Sequence, residues 1–388
     1  MFPSVPLTDV LEFREGPGIL AKDFRESGVP LLRLAGLKSG AALTNGCNYL
    51  DPAMVASKWS QFKVRLGDTL LSTSASLGEV AVVGEDAVGA VPYTGIIAFR
   101  PRDDRYVPDF IRFALVEKSF KDQIAAMGVG SVMQHFGPSH LRQMSISLPP
   151  VCEQRAIAEV LGALDDKIAA NDRLVAVAES LIIARASQEV GRCRISDVAE
   201  HLKKSLSPSL LGTSPVNHYS LPAFDARRLP SVEVADSILS SKFDLASPAV
   251  LLSKLNPRFP RVWDVPSPIS PAVASTEFVV LQPREVSTSV LWAVLSQPGL
   301  GQTLLDKASG TSGSHQRVRP QEILDAEISD PRALPTEVAE LITSLGSRVQ
   351  LARRESQGLG ALRDALLPEL MSGRLRVKDA EKSVEGVV

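Results

Sequence analysis

The chain has 388 residues, of which 44% are hydrophobic and 22% are charged, and its formal net charge is −2. This length predicts two or three domains, and this composition excludes a disordered chain. The near-neutral charge does not by itself indicate a nucleic-acid partner. No apolar run approaches the roughly 18 residues that span a membrane, residues 1–11 lack a secretory signal pattern, and three scattered cysteines predict neither disulfides nor a metal site, so we expect a cytoplasmic protein without membrane contacts.

Residues 1–148 predict a first domain that mixes helices and strands. The short runs EVAVV (79–83) and GIIAF (95–99) have the composition of strands. Residues 109–127 have the apolar periodicity of a helix. A glycine-containing loop, VGSVMQHFGP (129–138), follows this predicted helix.

Residues 149–190 predict a first long spacer helix. Its apolar residues recur at spacings of four and three, which makes a single apolar seam, as in a coiled coil. Asn171 interrupts the seam, and a lone polar residue there can fix the register at some cost in stability. One seam alone would equally suit a helix packed on its own domain. The seam comprises Ile157, Leu161, Leu164, Ile168, Asn171, Val175, Ala178 and Ile182.

Residues 191–331 predict a second mixed domain, with a strand at EFVVL (277–281) and a helix at 288–308 that is interrupted at Pro298-Gly299. Residues 332–375 predict a second long spacer helix that ends near Gly373, and residues 376–388 a C-terminal tail. The seam of this second helix begins with Val338, Ile342, Leu345 and Val349.

The two halves of the chain repeat one another. TSGSHQRVRP (311–320) follows VGSVMQHFGP at an interval of 182 residues, LLS recurs at 70–72 and 251–253, and LTDV (7–10) matches ISDV (195–198). A period this long indicates a duplicated domain and excludes a solenoid. Matching helices in matching places favour packing against each other. The predicted fold class is therefore α+β, with two pseudo-repeated mixed α/β domains joined by two long antiparallel coiled-coil helices.

The motifs resemble those of one family. LPPVCEQRAIAEVLGALDDKIAAN (148–171) resembles the junction at which type I restriction–modification specificity (S) subunits pass from the first target-recognition domain into the first long helix. The second junction departs from this pattern, because it has Pro335, Glu337 and Val338 in place of the Pro-Pro and Glu-Gln pairs. Similar matches occur at 67–83, 218–225, 251–263 and 366–377.

This resemblance implies a non-catalytic DNA-binding subunit of a phage-defence complex that reads a bipartite double-stranded site. Two methyltransferase (M) subunits would dock on it, methylating adenines, and restriction/translocase (R) subunits would cut unmethylated DNA. S-adenosylmethionine, ATP and Mg²⁺ would then belong to these partners, and this chain would bind no cofactor.

An enzyme is the main competing interpretation. NPRF (256–259) is similar to the Asn-Pro-Pro-aromatic motif of adenine methyltransferases, but Arg258 replaces the second proline and no glycine-rich loop follows a strand. The sequence has no GxxxxGK[ST] motif for ATP, and its five histidines lack the spacing of metal ligands. These features argue against catalysis by this chain.

Polar residues in the two recurring loops are the candidates for DNA contact. Gln can bond adenine bidentately, Arg can bond guanine, and Ser can hold phosphates. Each of these side chains could also belong to a solvated turn. The candidates are Ser131, Gln134 and His135 in the first loop, Ser314, His315, Gln316 and Arg317 in the second, and Ser72, Thr73, Ser74, Lys254 and Arg258 beside the LLS repeats.

A coiled-coil scaffold that binds only protein, such as an adaptor of another defence complex, is the alternative function. It would share the long helices but would have no basic surface for DNA. Salt-sensitive, sequence-specific binding to duplex DNA distinguishes the two.

Overall fold

The computed structural model describes residues 2–37, 42–74, 77–127, 136–188, 191–308 and 316–385. The chain divides into a first unit, Met1–Ala169 with Gly358–Val388, and a second unit, Ala170–Gln357. Among the described residues, no helix is long and apolar enough to cross a membrane. The five-segment division that the sequence indicates stays a prediction.

The described residues of the first half form ten strands and six α-helices. The strands are β1 (Ser4–Pro6), β2 (Leu11–Glu15), β3 (Phe24–Arg25), β4 (Val29–Leu32), β5 (Asn48–Leu50), β6 (Thr69–Ser72), β7 (Val80–Val82), β8 (Val91–Pro92), β9 (Ile96–Pro101) and β10 (Ser145–Ser147). The helices are α1 (Leu7–Val10), α2 (Pro52–Met54), α3 (Pro108–Val116), α4 (Lys118–Ala126), α5 (Pro138–Leu141) and α6 (Val151–Ala186).

In the second half, the described residues add eleven strands and seven α-helices. The strands are β11 (Arg192–Arg194), β12 (Ala199–Leu202), β13 (Ser205–Leu206), β14 (Pro215–Tyr219), β15 (Ser231–Val234), β16 (Lys242–Asp244), β17 (Ala249–Ser253), β18 (Val262–Val265), β19 (Ala272–Ala274), β20 (Phe278–Pro283) and β21 (Glu327–Ser329). The helices are α7 (Ile195–Val198), α8 (Leu221–Arg227), α9 (Thr288–Leu295), α10 (Pro298–Asp306), α11 (Pro320–Leu324), α12 (Thr336–Ser372) and α13 (Val377–Glu385).

Each unit is built on the same four-stranded antiparallel sheet. The strand order is β2-β9-β6-β7 in the first unit and β12-β20-β17-β18 in the second. The registers also agree. The first leucine of LLS pairs with Ala98 in the first unit (Leu70) and with Val280 in the second (Leu251). A second sheet accompanies it, with four strands in the first unit and five in the second. The structure therefore confirms the predicted mixed fold with an internal repeat.

The central strands β6 and β17 are buried on both faces, which explains their continuous apolar runs. Successive side chains in a strand point to opposite faces. Leu252 packs in the cluster formed with α9, whereas its neighbour Leu251 packs with Trp263 and the second sheet. Each main sheet thus lies between a helical layer and a second sheet.

The junction motif has a structural role at the start of α6. The side chain of Gln154 is fully buried. Its Nε2 donates to the carbonyl oxygens of Arg105 (2.7 Å) and Pro149 (2.9 Å), and its Oε1 accepts from the Val107 backbone N–H (2.8 Å). Three hydrogen bonds from one side chain fix the loop before α3 to the start of the long helix. Loss of any of them would leave a buried polar group unsatisfied, at a cost of about 1–3 kcal/mol.

The two long helices predicted from the seams are α6 and α12. In the first unit, Leu161 and Leu164 of α6 lie in one apolar cluster with Leu359 and Leu366 of α12. In the second unit, their segments run antiparallel, because successive contacts join Asn171 to Glu355 and Glu179 to Arg353. The observed helices therefore confirm the predicted pair of long antiparallel helices.

Candidate nucleic-acid interface

In the first unit, the candidate hydroxyl residues form the turn after β6. Ser72 and Thr73 are fully buried, and Ser74 is half-buried. Ser72 Oγ accepts from the backbone N–H of Glu79 (2.9 Å), which ties the two sides of the turn together. Ser72 and Thr73 are thus enclosed in the fold, and of the three hydroxyls Ser74 is the one with surface left to meet a ligand.

The turn after β6 pairs with the end of the first recurring loop. The backbone N–H of Phe136 donates to the Thr73 carbonyl (3.3 Å), and that of Thr73 donates to the Gly95 carbonyl (2.8 Å). These bonds place the loop's end where the interior strand β6 ends, at one end of the main sheet. The loop candidates Ser131, Gln134 and His135 lie outside the described residues, as do Ser314 and His315 of the second loop.

The second unit repeats this pairing between the turn after β17 and the second recurring loop. The backbone N–H of Val318 donates to the Lys254 carbonyl (3.0 Å), and that of Asn256 donates to the Gln316 carbonyl (2.9 Å). Lys254 and Val318 follow Thr73 and Phe136 by 181 and 182 residues. The sequence repeat therefore corresponds to an equivalent pair of loops in each unit, at the same end of its main sheet.

The paired loops of the second unit border a small basic groove of about 220 Å³. Lys254, Arg317 and Arg319 line it together with one carboxylate, Glu277. Arg317 is 61% exposed and its Nη2 lies 3.0 Å from Glu277 Oε1, which holds the guanidinium at the rim. The groove gathers three cations around one carboxylate, and such a site can hold a phosphate or the acceptor edge of a guanine.

The turn that carries Arg258 projects beside this groove. Phe259 N–H donates to the Asn256 carbonyl (3.1 Å), and Asn256 has a left-handed backbone with φ of 54°. Arg258 is exposed, and its guanidinium carbon lies 5.6 Å from the centre of the Phe259 ring, which is itself 65% exposed. An exposed cation on an exposed aromatic ring suits a base or a phosphate. The Asn-Pro-Arg-Phe motif thus forms a surface turn.

Arg319, Glu277 and Phe259 were not identified from the sequence. Arg319 had a weak signal, since it lies two residues after Arg317 in the repeated segment. Glu277 lies just before a strand and Phe259 lies at the tip of a turn, and neither position has a periodic sequence pattern. Only the fold brings Glu277 into the groove and Phe259 beside it.

One histidine next to the groove is unsuited to binding anions. Burial lowers the pKa of His201, and the charges of Lys203 and Lys254 lower it further. An imidazole with a lowered pKa is neutral at physiological pH and adds no positive charge.

The predicted seam residues lie between the long helices or next to them. In the first unit, Ile157, Leu161 and Leu164 are buried and Ile168 is partly buried in one cluster. Asn171 is 7% exposed, and its Nδ2 donates to Glu355 Oε2 at 2.8 Å. In the second unit, Ile342 is buried in the cluster of α9, Val338 and Leu345 pack against that cluster, and Val349 is 3% exposed.

Comparison with known proteins identifies related chains. Residues 2–179 match the family described as the type I restriction modification DNA specificity domain. A curated relative, the type I restriction enzyme MjaVIII specificity subunit of Methanocaldococcus jannaschii, is 22% identical over 168 residues, which cover 42% of this chain and 39% of that protein. These matches confirm the resemblance that the junction motif indicated.

A solved structure shares the fold of nearly the whole chain. The S subunit of a type I restriction–modification system from M. genitalium superimposes with a TM-score of 0.60 and 12% identity, covering 95% of this chain and 96% of that one. The likeness extends over both units, whereas the family match ends within α6.

Proposed function

We propose, from the premise that residues 2–179 carry a type I restriction modification DNA specificity domain, that the chain is the DNA-reading subunit of a type I complex. Each unit would bind one half of a bipartite duplex site. The observation that carries this proposal is the duplicated loop pair, in which Thr73 bonds Phe136 as Lys254 bonds Val318. Two equivalent loop pairs on two equivalent sheets suit a site read in two halves.

The binding chemistry would be divided among residue types. In the second unit, Arg317 and Arg319 can bond guanine edges or phosphates, and Lys254 can neutralise a phosphate. Catalysis would belong to partner subunits, which would bring S-adenosylmethionine, ATP and Mg²⁺. Among the described residues, no cluster of His, Cys, Asp and Glu has the geometry to hold a metal ion.

The long helix α6 would receive protein partners. Leu174, Val177 and Leu181 are 37%, 69% and 38% exposed, and their spacing of three and four places them on one face. An exposed apolar stripe on a long helix is typical of a docking surface. We assign it to a methyltransferase subunit, with restriction/translocase subunits joining the same assembly. A protein-binding scaffold without DNA specificity would use the same stripe, so DNA binding decides between the two functions.

The function is tested by mapping adenine methylation in cells that carry or lack this chain, with the methyltransferase partner present in both. We expect methylation at one bipartite sequence only when the chain is present. The purified complex should also bind that sequence in preference to others at a fixed salt concentration. Methylation that is independent of the chain, together with equal binding to all sequences, would leave the scaffold function.

Replacement of Arg317 by Ala should change the reading of one half-site. If Arg317 bonds a guanine bidentately, its loss should cost about 1–3 kcal/mol for that base pair. Methylation mapping should then show relaxed sequence at one position of one half-site. Ser74→Ala, in the other unit, is the matched control and should leave that position unchanged. Equal weakening on every sequence would identify Arg317 as a phosphate contact, and no change would place it in a solvated turn.

A further inference from the structure

The first unit has a second, larger basic surface that is separate from the recurring loops. A groove of about 470 Å³ lies along β2, β9 and the segment 61–65, and we name it the β2–β9 groove. It is lined by five cations, Arg14, Lys63, Arg65, Arg100 and Arg102, and by one carboxylate, Glu12. This concentration of positive charge stands out in a chain whose formal net charge is −2.

The β2–β9 groove lies at the other end of the main sheet from the candidate loops. Ser72, at the loop end, is opposite Ile96 at the start of β9. Arg100, in the groove, is opposite Glu12 near the other end of β9. Four residues of strand separate Ile96 from Arg100, which corresponds to about 13 Å. A ligand in the groove would therefore be bound by other side chains than a ligand at the loops.

Two of the five cations are held in place by the fold. Arg100 Nε donates to Asp68 Oδ1 (3.0 Å), and the Asp68 side chain is 4% exposed. Arg14 Nη1 donates to the Gln61 carbonyl (2.8 Å), and its guanidinium carbon lies 5.7 Å from the centre of the Phe62 ring. These contacts make one wall of the groove rigid.

The other three cations are available to a ligand. Lys63, Arg65 and Arg102 are exposed, and in the described part of the chain no carboxylate lies within ion-pair distance of their side chains. Uncompensated cations close together repel one another, and an anion between them removes that repulsion. Several cations spread along a strand and a neighbouring segment suit a polyanion better than one small anion.

The second unit does not repeat this surface. Arg102 and Arg284 are equivalent, since their backbone N–H groups donate to the carbonyls of Val10 and Val198 (2.9 and 2.7 Å). The strand registers show that Leu202 occupies the position of Arg14, because Arg14 pairs with Ala98 on β9 and Leu202 pairs with the equivalent Val280 on β20. In the same way Gln282 occupies the position of Arg100, because Arg100 pairs with Glu12 and Gln282 pairs with Glu200. The LLS repeats are 181 residues apart, and the same interval places Asp244 and Ala246 at the positions of Lys63 and Arg65.

Four of the five cations are thus absent from the second unit. The remaining one, Arg284, lies 3.5 Å from the carboxylate of Glu200. The duplicated fold therefore carries a strongly basic groove on one copy and a nearly neutral surface on the other. Structural need does not explain this difference, because both copies keep the same sheet.

We propose that the β2–β9 groove binds the phosphodiester backbone of duplex DNA without reading sequence, and that it does so in the first unit alone. This inference rests on the proposed function. The two units would then divide the work unequally. The first would supply much of the salt-dependent affinity through its groove, and both would read bases through their loops. The near-neutral net charge of the chain is compatible with DNA binding because the cations are gathered in one place.

The test measures binding of the complete complex, with its methyltransferase partner, to a duplex containing its methylated sequence, at several salt concentrations. The triple variant Lys63→Ala/Arg65→Ala/Arg102→Ala keeps the two fixed arginines. Each phosphate contact contributes about 0.9 to the slope of log affinity against log salt, so the slope should fall by about 2.7. Affinity at about 0.1 M salt should fall by roughly 100-fold or more, equally on specific and unrelated duplexes.

Arg102→Ala and Arg284→Ala form a matched pair at equivalent positions. We expect the first to reduce the salt slope by about 0.9 and the second to leave it unchanged. Equal effects of the two replacements would contradict a role restricted to the first unit. A changed methylation sequence in the triple variant would show that the groove reads bases and would overturn the inference.

Failure of the inference can be distinguished from failure of the proposed function. An unchanged salt slope in the triple variant, with sequence-specific methylation retained, overturns the groove and leaves the function standing. Absence of sequence-specific binding by the wild-type complex overturns the function itself.

Discussion

Replacement of Glu179 by Ala is expected to lower the free energy of unfolding of the second unit by about 3 kcal/mol. Glu179 lies on α6 and is 18% exposed. Its Oε1 lies 2.6 Å from Arg353 Nη2 and 2.9 Å from Arg228 Nη1, so one carboxylate compensates two guanidinium groups. Without it, the two cations would remain close together, and neither would keep its directly bonded carboxylate; only the more distant charge of Asp264 would still favour the charged form of Arg353.

The environment of Arg353 explains the size of this effect. The Arg353 side chain is 11% exposed, and burial is the main reason that its pKa is lowered. The charge of Arg228 lowers the pKa of Arg353 further, whereas Glu179 raises it. A guanidinium whose charge is poorly hydrated depends on its partner. Removal of the carboxylate alone therefore lowers stability strongly, because it leaves a buried charge without its partner. Replacement of both members of such a pair by apolar residues would cost less.

Urea-induced unfolding, followed by tryptophan fluorescence, measures this loss. Two of the three tryptophans, Trp263 and Trp292, are buried in the second unit and report on its unfolding. Glu200→Ala, in the same unit, is the control, because it breaks an ion pair with Arg284 in which both side chains are more than half exposed (59% and 55%), and it should cost under about 1 kcal/mol. The double variant Glu179→Ala/Arg353→Ala should lose less than the sum of the single variants. A loss for Glu179→Ala as small as the control's would contradict a buried cluster.

The sequence predicted what periodicity and repetition encode. The break at Pro298-Gly299 appears as the boundary between α9 and α10, because proline is favoured in the first turn of a helix and disfavoured in its interior. The predicted strands at 79–83, 95–99 and 277–281 correspond to β7, β9 and β20. Such segments carry their own signal in side-chain shape and spacing.

Other features depend on contacts that are distant in sequence. Residues 109–127 form two helices, α3 and α4, and Glu117 between them accepts from the Ser119 backbone N–H as the cap of α4. No glycine or proline marks this break. The second sheet contains strands of two and three residues, β3 and β13 among them, whose pairing is decided by the rest of the fold.

For the candidate site, the sequence indicated which loops lie together, but not which of their side chains reach the surface. The repeat located both loop pairs, since duplicated loops keep their spacing. It could not show that Ser72 and Thr73 are enclosed, because burial depends on the neighbouring strand. It also could not locate the β2–β9 groove, whose cations come from three separate segments and are gathered only by the fold.

Replacement of Gly346 by Ala is expected to destabilise the second unit, although alanine favours helices. Gly346 lies on α12 where that helix meets Ser289 of α9, and an added Cβ would come within 2.2 Å of Ser289 Oγ and 2.6 Å of Ser289 Cβ. The hydroxyl can rotate away, but the Ser289 Cβ is fixed by its own helix, so the two helices must move apart. Ser289 is 3% exposed and donates to Asp264 Oδ2 (2.6 Å), so this movement also disturbs a buried hydrogen bond.

Overpacking of this kind costs about 1–3 kcal/mol, which exceeds the gain of up to about 1 kcal/mol from helix propensity. Gly358, on the same helix, is the matched control, because an added Cβ there has no atom within 4 Å. Gly358→Ala should therefore stabilise α12, raising the urea midpoint, while Gly346→Ala should lower it. The opposite signs separate packing from propensity, since both variants make the same chemical change in one helix. If Gly346→Ala also raised the midpoint, α9 and α12 would not approach as closely as the structure shows.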